Sequence, residues 1–270
     1  MARAHLRVLM LGDVIGSPGR GLLHRLLRPL QRQYAADLTL ANGENSAAGR
    51  GITIATAQDM VAAGVDVITS GNHIWRQQDI IGGLQGRLPL VRPINYPAGA
   101  PGQGWHTVTV GETRVTIVNA LGRTFMEPLD NPFLALDQLL ASPPGDLGAV
   151  LVDFHAEATS EKRAMGWYLD GRVAAVVGTH THVPTADAQV LPRGTAYVTD
   201  VGMCGPRHSV IGVTVEASVE RFVTQRPTRY EVAREGPLDF NAVLIEIDRA
   251  SGRAVSIRRV DRVEQPTAPP

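Results

Sequence analysis

The first half of the chain switches repeatedly between short apolar runs and longer stretches with helical spacing. LRVLMLGD is a compact apolar run with a polar end, the pattern of a buried strand. In SPGRGLLHRLLRPLQRQY, Leu22, Leu23, Leu26, Leu27 and Leu30 recur at helical spacing with arginines between them. Pro29 lies inside this pattern and is expected to kink or end the helix. DLTLANGEN repeats the strand pattern, ITIATAQDMVAAG predicts a helix stopped by Gly64, and VDVITSGNH predicts a third strand. Such alternation predicts an α/β fold with a largely parallel sheet.

The middle of the chain changes character. WHTVTVGETRVTIVNALG alternates like a hairpin with Gly-Glu at its turn. NPFLALDQLLA predicts a helix, GAVLVDFHAE a strand, and TSEKRAMGWYLDG a helix capped by Thr159 or Ser160. VAAVVGTHTH predicts another strand, and AQVLPRGTAYVTD a second hairpin. A polar amphipathic stretch follows, then LDFNAVLIEID and AVSIRRVDRV as a closing strand pair. No repeat of about 20–50 residues is visible. The expected organisation is one domain over 1–263, two packed sheets flanked by helices, with a disordered tail over 264–270.

Composition narrows the function classes. The chain is 44% hydrophobic and 19% charged, ordinary for a globular domain with a sizeable core. Lys+Arg and Asp+Glu are both 26, which argues against a dedicated nucleic-acid or membrane-surface binder. A single cysteine, Cys204 in VGMCGP, excludes a disulfide framework and fits a reducing compartment. The start lacks the pattern of a signal peptide, and no window approaches the roughly 18 apolar residues of a spanning helix. A cytoplasmic protein is expected.

Five of the apolar runs end in polar clusters: Asp13; Glu44 with Asn45; Asn72 with His73; His155 with Glu157; His180 with His182. In open α/β sheets ligands gather outside the carboxyl ends of the strands. The clusters supply carboxylates, amides and imidazoles, a set suited to Mn, Fe or Zn. One ion needs three or four protein ligands. Asp13, Glu44, Asn72, His155, His180 and His182 make six, enough for two ions with a carboxylate bridging. Each residue also has a plainer reading. Asp13 could cap a helix, Asn45 and Asn72 could form turns, and each histidine could be a hydrogen-bonding strand end. Five such coincidences at equivalent positions are the less economical account. His180 and His182, at i and i+2 on a strand, are expected to share a face. His5, His24, His106 and His208 lack companions. Arg207 and His208 are candidates to approach a substrate, and Trp75 and Tyr96 to stack on a base, although core roles are the commoner reading for the aromatics.

In this order, GD, NGENSAAGRG, TSGNHIW, DFHAEATSEK and GTHTHVPTAD resemble the calcineurin-like metallophosphoesterases, and more narrowly their YmdB-type branch. TDVGMCGPRHSVIG adds to the likeness, which covers nearly the whole chain. The resemblance implies a four-layer αββα sandwich with mixed sheets and a two-metal centre where the sheets meet. It implies that Asp13, Glu44 and His182 hold one ion, and Glu44, Asn72, His155 and His180 the other. It further implies that Asn45 contacts phosphate, that His73 protonates the leaving oxygen, and that the ions are iron or manganese, with zinc as a variant. The wider superfamily begins with D-x-H. Here the block is Asp13-Val14-Ile15, and the bridging position carries Glu44 rather than Asp, departures shared by the narrower branch.

A two-metal centre suits hydrolysis of a phosphodiester by a metal-activated water, and the resemblance implies that the substrates are cyclic nucleotides, 2′,3′ or 3′,5′. A phosphomonoesterase, an RNA nuclease and a nucleotide-responsive regulatory protein with weak hydrolysis are the rival readings. The oligomeric state is left open, a homo-oligomer included.

Overall fold

The computed structural model describes residues 3–86 and 88–265. The chain opens with β1 (His5–Val14), α1 (Gly16–Tyr34), β2 (Leu38–Asn42), α2 (Ile54–Ala63) and β3 (Val67–Thr69). A short α3 (Ile80–Gln85) leads to the hairpin β4 (Trp105–Val110) and β5 (Thr113–Leu121). Next come α4 (Pro132–Ala141), β6 (Ala149–His155), α5 (Thr159–Leu169) and β7 (Ala175–Thr179). The second hairpin is β8 (Gln189–Val190) with β9 (Ala196–Val198), followed by β10 (Met203–Pro206) and α6 (Val215–Thr224). Four strands close the chain: β11 (Leu238–Phe240), β12 (Ala242–Asp248), β13 (Ala254–Arg259) and β14 (Arg262–Glu264). The tail expected from residue 264 thus starts inside β14, and 266–270 lie outside the described residues.

Most elements form where the periodicity predicts, with local differences that have physical causes. α1 continues through Pro29 to Tyr34. Pro29 is exposed, so the carbonyl it leaves unbonded faces water, while Leu30 and Tyr34 pack inward and hold the last turn. α5 begins after Ala158, whose side chain cannot cap, so neither Thr159 nor Ser160 takes the cap position. α3 and β10 are too short to announce themselves by period. α6 forms within the polar amphipathic stretch.

The strands make two mixed sheets. In the first, β1, β2 and β3 run parallel, β12 pairs antiparallel with β1, and β13 pairs antiparallel with β12. In the second, β5, β6, β7 and β9 run parallel, with β4 and β8 antiparallel at the edges. Side chains alternate across each strand and so sort into three apolar layers. Leu9 and Leu11 face outward onto Leu22, Leu23 and Leu27 of α1 and Met60 of α2. Val150, Val152 and Phe154 face outward toward Leu136 of α4 and Met165 of α5. Between the sheets lie Leu6, Val8, Met10, Leu38, Leu40, Val67, Ile117, Leu151 and Val177. The result is the expected four-layer αββα sandwich.

The middle layer stops abruptly at the carboxyl ends of the parallel strands. By the same alternation, the next inward positions after Leu40, Val67, Ile117, Leu151 and Val177 are Asn42, Thr69, Asn119, Asp153 and Thr179. All five are buried. An apolar slab between two sheets therefore ends in a polar plug, and buried polar groups must find partners there.

Candidate metal centre

Asp13 reaches this plug through an irregularity. Alternation along β1 would send it outward with Leu9 and Leu11. The register against β2 instead slips between Leu11 and Asp13, so Asp13 sits opposite Asn42 and turns inward. Gly12 makes the slip possible, because a Cβ there would lie 1.9 Å from the Gly202 carbonyl oxygen. Asp13 Oδ2 accepts from the His180 backbone N–H at 3.1 Å, which links the two sheets. Its Oδ1 is buried and has no hydrogen-bond partner.

Glu44 and Asn45 lie in the turn after β2. Glu44 is 1% exposed; its Oε2 accepts from the His73 backbone N–H at 3.0 Å and lies 3.2 Å from His155 Nε2. Asn72 Oδ1 and His180 Nδ1 lie 3.1 Å and 3.0 Å from the same His155 nitrogen. Ligand atoms of Glu44, His155 and His180 fall within 4.8 Å of one another. Asp13 Oδ1 is 3.9 Å from His155 Nδ1 and 3.8 Å from His182 Nε2. Gly71 leaves the space open: a Cβ there would sit 2.4 Å from both Glu44 Oε2 and His155 Nε2.

The histidine pair reaches the site by a different route from the one the strand period predicts. β7 ends at Thr179, and both rings lie beyond it with left-handed backbones, φ 97° at His180 and 64° at His182. For non-glycine residues such conformations cost about 1–3 kcal/mol each and persist only where the surroundings enforce them. Here the enforcement is a buried ion pair. Lys162 Nζ donates to Asp200 Oδ2 at 2.7 Å, and the same oxygen accepts from the backbone and side chain of Thr181 at 3.1 Å and 2.7 Å. Thr181 is the residue between the two histidines.

Three imidazoles are pinned in the same sense. His155 Nδ1 bonds Thr179 Oγ1 at 2.9 Å, and that hydroxyl donates to Asp153 Oδ1 at 2.6 Å, so the ring nitrogen is the donor. His182 Nδ1 donates to the Ile211 carbonyl at 2.8 Å, and its Nε2 accepts from Asn45 Nδ2 at 3.0 Å. His180 Nε2 pairs with Glu157 Oε2 at 3.0 Å. Each outer nitrogen is thereby committed, and each inner nitrogen faces a carboxylate or another imidazole. This is the second-layer arrangement that fixes metal-binding histidines. His73 is held the other way round, its Nδ1 donating to Asn45 Oδ1 at 2.9 Å and lying 3.1 Å from Glu44 Oε1.

A sequence profile described as YmdB-like protein matches residues 9–260. The chain belongs to the YmdB-like family. It is 46% identical over 255 residues to the 2′,3′-cyclic-nucleotide 2′-phosphodiesterase of Bacillus subtilis (strain 168), covering 94% of this chain and 96% of the relative. The solved structure of a novel phosphatase from Mycoplasma pneumoniae superposes with a TM-score of 0.92 at 36% identity, covering 98% of this chain and 95% of that one. A hypothetical protein from Thermus thermophilus gives a TM-score of 0.90 at 45% identity, covering 96% of this chain and 100% of that one.

The electrostatics of this YmdB-like site suit a cation. Burial pushes the Asp13 carboxyl up to about 6, although His182 and His155 pull it down. Burial would also raise Glu44, but His155 and His73 outweigh it and hold that carboxyl well below its usual range. Burial would lower His155, yet Glu44 and then Asp13 raise it to about 9. Burial, then the neighbouring His155, push His180 down to about 3. His155 Nε2 and Glu44 Oε2, 3.2 Å apart, thus favour a positive charge between them.

Other candidates lie elsewhere. Trp75 and Tyr96 pack edge to face at 5.5 Å against the α1–α2 core, and neither is among the residues lining the cleft over Glu44. Arg207 is paired with Asp239 at 2.8 Å, and His208 lines a separate hollow beside Thr214 and Gly236. His24 pairs with Asp59 at 2.7 Å on the exposed side of α1. Cys204 is fully buried under α1, and burial pushes its thiol far above its usual range, which removes it as a nucleophile. Sequence reading missed Asp153, Thr179, Asn42, Lys162 and Asp200. For Asn42, Asp153 and Thr179 the signal was a polar residue at an inward position of an otherwise apolar strand, legible only once the faces are known; Lys162 in α5 and Asp200 in a loop gave none.

Proposed function

We propose that the chain is a metal-dependent phosphodiesterase that opens 2′,3′-cyclic nucleotides. The observation that carries this reading is the set of three imidazoles, His155 and His182 buried and His180 half-buried, with committed outer nitrogens, turned toward Glu44 and the unpartnered Asp13 Oδ1. The 46% identity to a 2′,3′-cyclic-nucleotide 2′-phosphodiesterase supports the substrate class.

Asp13, Glu44, Asn72, His155, His180 and His182 would hold two divalent ions, iron or manganese. Bound there, the ions would supply Lewis-acid charge to the phosphate oxygens and make a nucleophilic water available near neutral pH. Asn45 now spends its amide hydrogens on Glu44 Oε1 and His182 Nε2. Both acceptors would turn to cations on loading, which frees those hydrogens for a phosphate oxygen. His73 keeps Nδ1 on Asn45 and has Nε2 left to protonate the departing ribose oxygen. Opening at the 2′ oxygen leaves a 3′-phosphate.

The cleft over these residues is small, about 270 Å³. It suits one nucleotide better than an RNA strand, which favours the cyclic substrate over the nuclease reading. The decisive experiment is metal analysis of protein purified without added metal, combined with hydrolysis of 2′,3′-cyclic AMP, 3′,5′-cyclic AMP and 3′-AMP. Two transition metals per chain with release of 3′-AMP from the 2′,3′ diester is the expected result. A metal-free protein inactive after Mn²⁺ or Fe²⁺ addition would falsify the reading, and preferential attack on 3′-AMP would replace it with a phosphomonoesterase.

A further inference from the structure

One residue lining the cleft carries a cation that the hydrolytic chemistry does not use. Arg50 is the sole arginine or lysine among the residues lining it. Its guanidinium makes no ion pair among the described residues. Instead it lies 4.1 Å from the centroid of the Tyr230 ring. Tyr230 is itself tied down: its hydroxyl donates to the Gly49 carbonyl at 3.2 Å, and a Cβ on Gly49 would come within 2.9 Å of the ring. The Arg50 carbonyl accepts from Gln77 Nε2 at 3.1 Å, which anchors the loop that carries it.

Two apolar residues complete this part of the cleft, Ile211 and Val213. Ile211 is 47% exposed and left-handed at φ 49°, an unfavourable state for a β-branched residue. That backbone presents its carbonyl to His182 Nδ1, so the exposed side chain belongs to the loop that pins the site. A planar guanidinium over a phenol ring, with aliphatic side chains beside it, is a surface on which a nucleobase stacks.

We infer that Arg50, positioned by Tyr230, together with Ile211 forms the nucleoside-recognition wall of the cleft. The inference rests on the nucleotide diesterase reading and assigns it a specificity determinant. Stacking of this kind tolerates any base, so the wall selects nucleotides over baseless phosphates more than it selects among bases.

The test is calorimetric binding of 3′-AMP and of glycerol 1-phosphate to the metal-loaded protein. Both are phosphomonoesters, and only one carries a base. Wild type is expected to bind 3′-AMP about tenfold more tightly, the scale of one stacked base. Arg50→Lys keeps the charge and loses the plane, and Tyr230→Ala removes the support. Each should erase the tenfold preference and leave glycerol phosphate affinity unchanged, while Tyr230→Phe, which keeps the ring, should retain it. Equal weakening of both ligands would make Arg50 a phosphate ligand and overturn the inference, as would an unchanged preference or its absence in wild type. Hydrolysis enters none of these measurements, so a protein that binds 3′-AMP selectively and cleaves no diester would refute the catalytic reading alone.

Discussion

His73 and Gly71 sit one residue on either side of Asn72 and do opposite things for the site. His73 offers a ring whose Nδ1 is committed inward. His73→Ala should keep the metal stoichiometry and lower kcat by about 10²–10⁴, the usual worth of a positioned general acid. Stopped-flow turnover with parallel metal analysis checks it; loss of metal would show that the ring is structural. Gly71 contributes only the absence of a side chain. A Cβ there meets Glu44 Oε2 and His155 Nε2 at 2.4 Å, and neither can retreat, because both are hydrogen-bonded and buried. Gly71→Ala should therefore leave the fold intact and weaken metal binding by about 10- to 100-fold, the equivalent of a typical overpacking cost. Titration calorimetry with Mn²⁺, read beside circular dichroism, decides it.

Among the elements, the segment after β7 shows how much a short loop can depend on a distant helix. Its left-handed histidines are held through Thr181 by Asp200, and Asp200 by Lys162 of α5. Lys162 and Asp200 are 1% and 0% exposed. Removing one partner of such a pair leaves an uncompensated buried charge. Lys162→Met, which keeps the length of the side chain, should destabilise the protein by about 3–5 kcal/mol. Urea unfolding measures that loss. Metal content measured well below the unfolding midpoint should fall as well, because the strained loop relaxes; full loading at that point would show the loop to be self-supporting. Period and turn residues disclosed most strands and helices and both hairpins, though not α3 or β10. They did not disclose this brace, since a lysine in TSEKRAMGWYL reads as a solvated helix position until the helix is docked.

At the scale of the whole molecule the site is a seam. Asp13, Glu44 and Asn72 come with the first sheet, while His155, His180 and His182 come with the second. Ions held by both groups would cross-link the sandwich. At a free metal concentration about 100 times Kd, each ion bound adds about 2.7 kcal/mol, or roughly 5–10 °C in Tm for a domain of this size. Chelation should reverse it, and differential scanning calorimetry with EDTA checks both directions. The pH dependence has a definite sign. His155 is raised to about 9, so at pH 7 a proton must leave before its Nε2 can bind a cation. Apparent metal affinity should climb about tenfold per pH unit from 7 toward 9 and level off above, with proton release visible in buffers of different ionisation enthalpy. An affinity flat across that range would mean that the proton is not there to displace.

Residue order alone carried the layers, the six candidate ligands and the family likeness, because strand and helix periods and strand-end clusters are local properties of a chain. Among the described residues no helix is long and apolar enough to cross a membrane, in keeping with the local apolar run lengths. Tertiary structure decided where each of those residues sits. The slip at Gly12 turned Asp13 inward, against the alternation that would have hidden it under α1. The left-handed turn, rather than a shared strand face, brought His180 and His182 to the carboxylates. Asp153 and Thr179 became the brace of His155, and Arg50 met Tyr230 from the opposite end of the sequence. Ligand roles, ring tautomers and buried braces depend on distances between segments far apart in the chain, and such distances exist only once the two sheets have closed on each other.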